Sequence, residues 1–108
     1  MIYFITQGDE YIKIGHGGDP ESRLSQLQVG NPDELRLMAC FSGGQQEEQH
    51  LHDFLKTLRI RGEWFEFNEE VRRFIHVLVD SDGLVAAFKN WRKEFEEADV
   101  IPFPVTSA

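Results

Sequence analysis

A chain of 108 residues is one domain, large enough for a single modest core and too short for two. Hydrophobic residues at 41% and aromatic residues at 12%, with nine Phe and two Trp, exclude a disordered polypeptide. The excess of 19 Asp and Glu over 11 Lys and Arg, a net charge of -8, excludes a broad, sequence-indifferent grip on polyanions.

Ile2 to Thr6 and Tyr11 to Gly15 read as two short β-type runs. The polar connection Gln7-Gly-Asp-Glu10 between them is the pattern of an antiparallel hairpin. After Gly15-His-Gly-Gly18, Asp19 looks like a helix N-cap and Pro20 suits the first helical position. Leu24, Leu27 and Gln28 set a helical spacing that stops before Gly30-Asn31-Pro32. Leu35 to Phe41 is apolar enough for a third strand, and Ser42-Gly43-Gly44 breaks it. From about Gln45 to Leu58 a second helix places Glu48, Leu51, His52 and Leu55 on one face. Arg61 to Phe67 reads as a turn into a short extended piece. Asn68 caps a third helix reaching about Val79, and Gly83 to Ala98 makes a fourth. Ile101-Pro-Phe-Pro-Val105 cannot be helical and is expected to pack back as an extended tail or to fray.

The single cysteine, Cys40, sits in an apolar run and is expected to be a small buried hydrophobe. No charged-then-apolar leader opens the sequence, and no apolar run approaches the roughly 20 residues that span a bilayer. A cytoplasmic protein with no membrane partner is the expectation. Lys56, Arg59 and Arg61 form a basic cluster, readable as a solvated helix end or as a local positive patch on an acidic body.

The glycine-rich loop is only superficially a phosphate cradle. A dinucleotide site needs a parallel βαβ unit, whereas here a hairpin precedes the loop and Asp-Pro-Glu would put two carboxylates at the anion position. A zinc site from His16, Cys40, His50 and His52 fails as well, because residues two apart on a helix point about 200° apart. No sharp elbow surrounds any Ser, so a serine or cysteine hydrolase is unsupported.

Other polar residues converge. Tyr3 and Lys13 occupy central positions of paired strands, Arg23 lies one turn into the first helix, and Glu48 and His52 face the core from the second. Such groups turned inward are costly in a small domain unless they serve one another or a ligand. The set suits phosphodiester hydrolysis. A carboxylate holds a divalent cation, a guanidinium steadies phosphorane charge, and a phenol or metal-bound water supplies the attacking oxygen.

The order Ile2-Tyr3-Phe4-Ile5, Tyr11-Ile-Lys-Ile-Gly15, Arg23-Leu24, Leu27-Gln28, Gly30-Asn31-Pro32, Glu48-Gln-His-Leu-His52 and Gly62-Glu-Trp-Phe65 resembles the GIY-YIG endonuclease superfamily. It is most similar to the short phage and bacterial branch whose second motif reads Lys-Ile-Gly. The likeness covers about residues 2 to 67 and implies an α+β fold, a three-stranded antiparallel sheet flanked by helices. Two additional C-terminal helices in residues 68–108 would pack on that 1–67 core. It implies Tyr3 as general base or water positioner, and Lys13 as a group that lowers the phenol pKa or touches phosphate. Arg23 becomes the transition-state clamp and Glu48 the ligand of Mg2+ or Mn2+. His52 and His16 become further groups near the scissile phosphate. The implied partner is nucleic acid, DNA before RNA.

Met1 stands where the first motif normally has glycine, and no upstream DNA-binding segment is expected. Residues 68–108 are acidic, so target choice is left to a protein partner, to a homodimer, or to nothing. The Gly62-Glu-Trp-Phe65 run reads as structural, with Trp64 and Phe65 closing the core and Glu63 tying a turn. The alternative to an enzyme is a catalytically lapsed binding module acting through protein contact. Its motivation is the net charge and the Phe88, Trp91 and Phe95 stripe, which equally reads as core.

Overall fold

A computed structural model describes residues 1–81, 86, 87 and 89–91. The elements run β1 (Ile2–Gln7), β2 (Tyr11–His16), α1 (Pro20–Gln28), β3 (Leu35–Phe41), α2 (Gln45–Phe54), a 3-10 turn (Lys56–Leu58), β4 (Arg59–Arg61), β5 (Trp64–Glu66) and α3 (Glu69–Asp80). The sheet is antiparallel, in the order β3-β1-β2-β5-β4.

Three expected strands are thus five. Arg59–Arg61 and Trp64–Glu66 are each three residues long, too short to display an alternation, and pair across a two-residue turn in which Gly62 has φ +58°. The α+β class stands. The second helix also ends earlier than its spacing suggests. After Phe54 the chain tightens into the 3-10 turn, which carries Leu55 into the core while moving Lys56, Arg59 and Arg61 off any helix end.

Strand alternation sends β1 side chains to both faces of the sheet, and both are covered, which is why Ile2 to Thr6 are buried without a break. Ile2, Phe4, Ile12, Ile14 and Phe65 meet Leu51 of α2, Leu55 just past its end, and Val71, Phe74, Ile75 and Leu78 of α3. Phe4, Phe65 and Phe74 are wholly enclosed, each worth about 1.5–3 kcal/mol of apolar transfer. On the opposite face Tyr3, Ile5 and Leu35 meet Leu24 and Leu27 of α1.

Local chemistry sets the element ends. The Asp19 carboxylate accepts from the Ser22 amide with Pro20 in the first turn, and the Asn68 side chain accepts from Val71 N-H. Gln28 staples the turn into β3, donating to the carbonyls of Asn31 and Asp33 and accepting from Leu35 N-H at 2.8 Å. Gly30, at φ +79°, permits that turn.

Cys40 is exposed, contrary to the expectation of a buried thiol. It lies near the end of an edge strand, beyond Leu35 and Leu37, the β3 residues that pack in the α1-side cluster. Trp91 is buried, its ring 5.4 Å from that of Phe74, so it belongs to the core; Phe88 and Phe95 lie outside the described residues. The expected fourth helix falls mostly outside them too, with Ala86, Ala87 and Lys89 to Trp91 helical. No helix among the described residues is long and apolar enough to cross a membrane.

Candidate active site

The register of the first hairpin places Tyr3 directly opposite Gly15. The phenol ring lies over that glycine, where an added Cβ would stand 2.6 Å from Tyr3 Cζ and from its hydroxyl oxygen. Only a residue without a side chain fits, which gives the glycine of Lys-Ile-Gly a packing reason. Tyr3 is 97% buried, being 3% exposed, yet its hydroxyl forms no hydrogen bond among the described residues and is not among the fully enclosed unpartnered atoms. It therefore opens toward solvent at the Gly15 end of β2.

The next residue, His16, closes the strand. Its Nδ1 makes a short contact with Glu48 Oε2. Glu48 sits in the first turn of α2, where the helix dipole favours a carboxylate, and it is buried. His52, one turn on, donates from Nε2 to the Ile14 carbonyl at 2.8 Å and stands edge-on to Phe65, ring centroids 5.0 Å apart. That bond leaves His52 Nε2 occupied, and at 3.9 Å from Glu48 Oε1 it is too distant for a second one.

Lys13 is buried on the Tyr3 side of the sheet. Its ammonium pairs with Glu63 Oε1 at 2.9 Å and lies 5.7 Å from the centre of the Trp64 ring. Burial pushes the Glu63 carboxyl upward in pKa. The hydrogen bond and charge of Lys13, with His52 and Glu48 adding to them, outweigh burial and hold it below the ordinary carboxylate value. Glu63 thereby joins the two sides of β2, reaching Lys13 on one and the Glu48–His52 pair on the other. Its backbone carbonyl accepts from Ile14 N-H at 3.0 Å, so the hairpin turn is fixed against β2 as well.

Five side chains are thus brought together: Lys13, Glu63, Glu48, His16 and His52. Tyr3 borders them through Gly15. Arg23 stands apart in its contacts, being exposed with Nη1 donating to Gln26 at 3.3 Å. Glu63 is the member that sequence reasoning missed, having been assigned to the turn alone. Its place two residues past Arg61 in a Gly-Glu turn was visible, but nothing in the spacing showed that its carboxylate would reach Lys13.

Glu48 suits a hard divalent cation. Mg2+ is commonly held by one or two carboxylates, with water and substrate phosphates completing its shell, and Glu48 offers one buried carboxylate beside an imidazole. Among the described residues no group of three or more His, Cys, Asp or Glu is arranged to hold a metal.

The fold is thus a small antiparallel sheet with helices on both faces, carrying an acid–imidazole–lysine cluster along its second strand. Residues 1–80 match the model of the T5orf172 domain, and the chain belongs to that family, whose domain occurs in nuclease-like proteins of phages and bacteria and is linked to nucleic-acid interaction. Neither the curated proteins nor the solved structures gave a match.

Proposed function

We propose that the protein is a metal-dependent endonuclease of the GIY-YIG kind, hydrolysing phosphodiester bonds of nucleic acid, DNA in preference to RNA. The observation that carries this reading is the hydroxyl of an otherwise buried Tyr3, without a hydrogen-bond partner among the described residues and held over Gly15 one residue from the His16–Glu48 pair. A phenol fixed by packing with its hydroxyl unengaged is preorganised to meet a ligand or a water.

In this reading Tyr3 positions the attacking water through its phenolic oxygen. Glu48 would hold Mg2+ or Mn2+, which when bound supplies Lewis-acid stabilisation of the phosphate oxygens. Lys13, held by Glu63 on the Tyr3 side of the sheet, is the group that would touch the phosphate. Arg23 releases Gln26 and closes on the substrate's developing charge. His16, half-exposed next to Glu48, contacts the scissile phosphate, while His52 holds β2 against α2.

A second reading, a lapsed binding module, draws support from how completely the cluster satisfies itself, Lys13 by Glu63 and Glu48 by His16. Incubation of nicked, branched and single-stranded DNA, and of RNA, with Mg2+ or Mn2+ separates the two. Cleavage that is lost in Glu48→Ala and Arg23→Ala supports the enzyme. Binding of nucleic acid with no cleavage of any substrate supports the module.

A further inference from the structure

Six of the eleven basic residues of this acidic chain fall in two groups of three, Lys56, Arg59 and Arg61, and Lys89, Arg92 and Lys93. Lys56, Arg59 and Arg61 fall within six consecutive positions with no acidic residue between them, in a chain of net charge -8. All three are exposed, on the 3-10 turn and on β4, which is an edge strand of the sheet. Edge strands carry charge to avoid pairing with other chains, and either sign would serve that end. With 19 acidic residues available, a purely protective edge had no need to be uniformly cationic.

Partnering sharpens the distinction. Lys13, Arg36 and Arg72 are each paired with a carboxylate, whereas Lys56, Arg59 and Arg61, like Arg23 and Lys89, form no ion pair among the described residues. Arg59 Nε donates to the Gly62 carbonyl at 2.8 Å, which holds its guanidinium along the turn. The β4–β5 register shifts between Arg59 and Arg61, so that Arg59 is opposite Phe65 while Arg61 is opposite Trp64, and Trp64 is opposite Lys13. Residues opposed across antiparallel strands share a face. A row therefore runs from Arg61 at the edge, through the half-buried Trp64 indole, to the Lys13–Glu63 pair.

We propose that the β4 edge is the surface on which the phosphate backbone of nucleic acid lies, with Lys56, Arg59 and Arg61 contacting phosphates and the strand passing over Trp64 to the candidate active site. This rests on the nucleic-acid reading above and adds the binding face and the direction of approach. A cationic edge on a chain of net charge -8 also helps to orient the ligand, because acidic surface disfavours a polyanion.

The test is fluorescence anisotropy of labelled single-stranded and duplex oligonucleotides in EDTA, where binding is read without cleavage, over a series of salt concentrations. Lys56→Glu/Arg61→Glu is compared with Arg36→Glu/Arg72→Glu, which changes net charge equally but places one change on β3, the opposite edge, and the other on α3. We expect the first pair to weaken binding about tenfold or more and to lower the log–log salt slope by about 1.5–2, as loss of two phosphate contacts requires. The second pair should stay within about threefold of wild type by the same measure. Lys56→Gln/Arg61→Gln, which keeps a polar edge, should give an intermediate loss, and thermal melts establish that each variant is folded. Equal losses in both charge-reversed pairs, or none in the first, overturn the proposal while leaving the nuclease reading intact. Wild-type protein that binds no nucleic acid overturns both.

Discussion

Tyr3 and Gly15 are opposed across β1 and β2 so closely that the phenol ring occupies the space where a Cβ at residue 15 would stand. Gly15→Ala should therefore displace the ring and cost about 1–3 kcal/mol, the usual range for overpacking a core. The cost should shrink in a Tyr3→Leu background, because the atoms that clash are gone. A double-mutant cycle by chemical denaturation measures this, and strictly additive losses would show that the two positions are uncoupled.

Tyr3→Phe removes only the hydroxyl, which has no protein partner among the described residues. Its stability should match wild type within about 0.5 kcal/mol, as for substitutions that break no contact. Cleavage should fall by about 10²- to 10⁴-fold, the range for loss of a general base. Unchanged turnover in a folded Tyr3→Phe variant would remove the phenol from the mechanism.

Divalent cation binding should be visible without any reaction. At about 100 times its dissociation constant, Mn2+ should stabilise the wild-type fold by about 2.7 kcal/mol. Calorimetric melts with and without Mn2+ read this out. Glu48→Gln should abolish the shift, and an equal shift in that variant would place the ion elsewhere.

Glu63 gives stability a pH dependence of defined sign. Its carboxyl is held below the ordinary value in the folded state, so its contribution is fully present above the unfolded pKa of about 4.3 and fades as pH falls through the lower folded value. Denaturation in chelator across the acid range should show wild type losing this contribution on the acid side. Glu63→Gln should lose it at all pH and flatten that limb. Lys13→Met should flatten it similarly, since the lysine is what opposes the burial effect.

Much of the scaffold was legible because its signals are local. Asp19 and Pro20 announce α1, Asn68 announces α3, and the polar connection after β1 announces the first hairpin. What escaped was either too short or set by distant contacts. β4 and β5 offer three residues apiece, and the exposure of Cys40 depends on how far α1 reaches along an edge strand. The same division holds for the site. Helical spacing put Glu48 and His52 on one face and strand pairing put Tyr3 beside β2, but the Glu63–Lys13 pair joins residues 50 positions apart through tertiary structure alone. The contact between His16 and Glu48 likewise follows from α2 packing on β2, which no pattern in either segment encodes.

The peptide groups of Ile14 receive His52 on the carbonyl side and donate to the Glu63 carbonyl from the amide side. One hydrogen, on the Ile14 nitrogen, is thus shielded while the short β4–β5 hairpin stays docked. Its exchange with deuterium becomes a clock for that docking, and a single resolved NMR resonance suffices to follow, in free protein and with oligonucleotide added, how often the Glu63 side of the pocket comes apart.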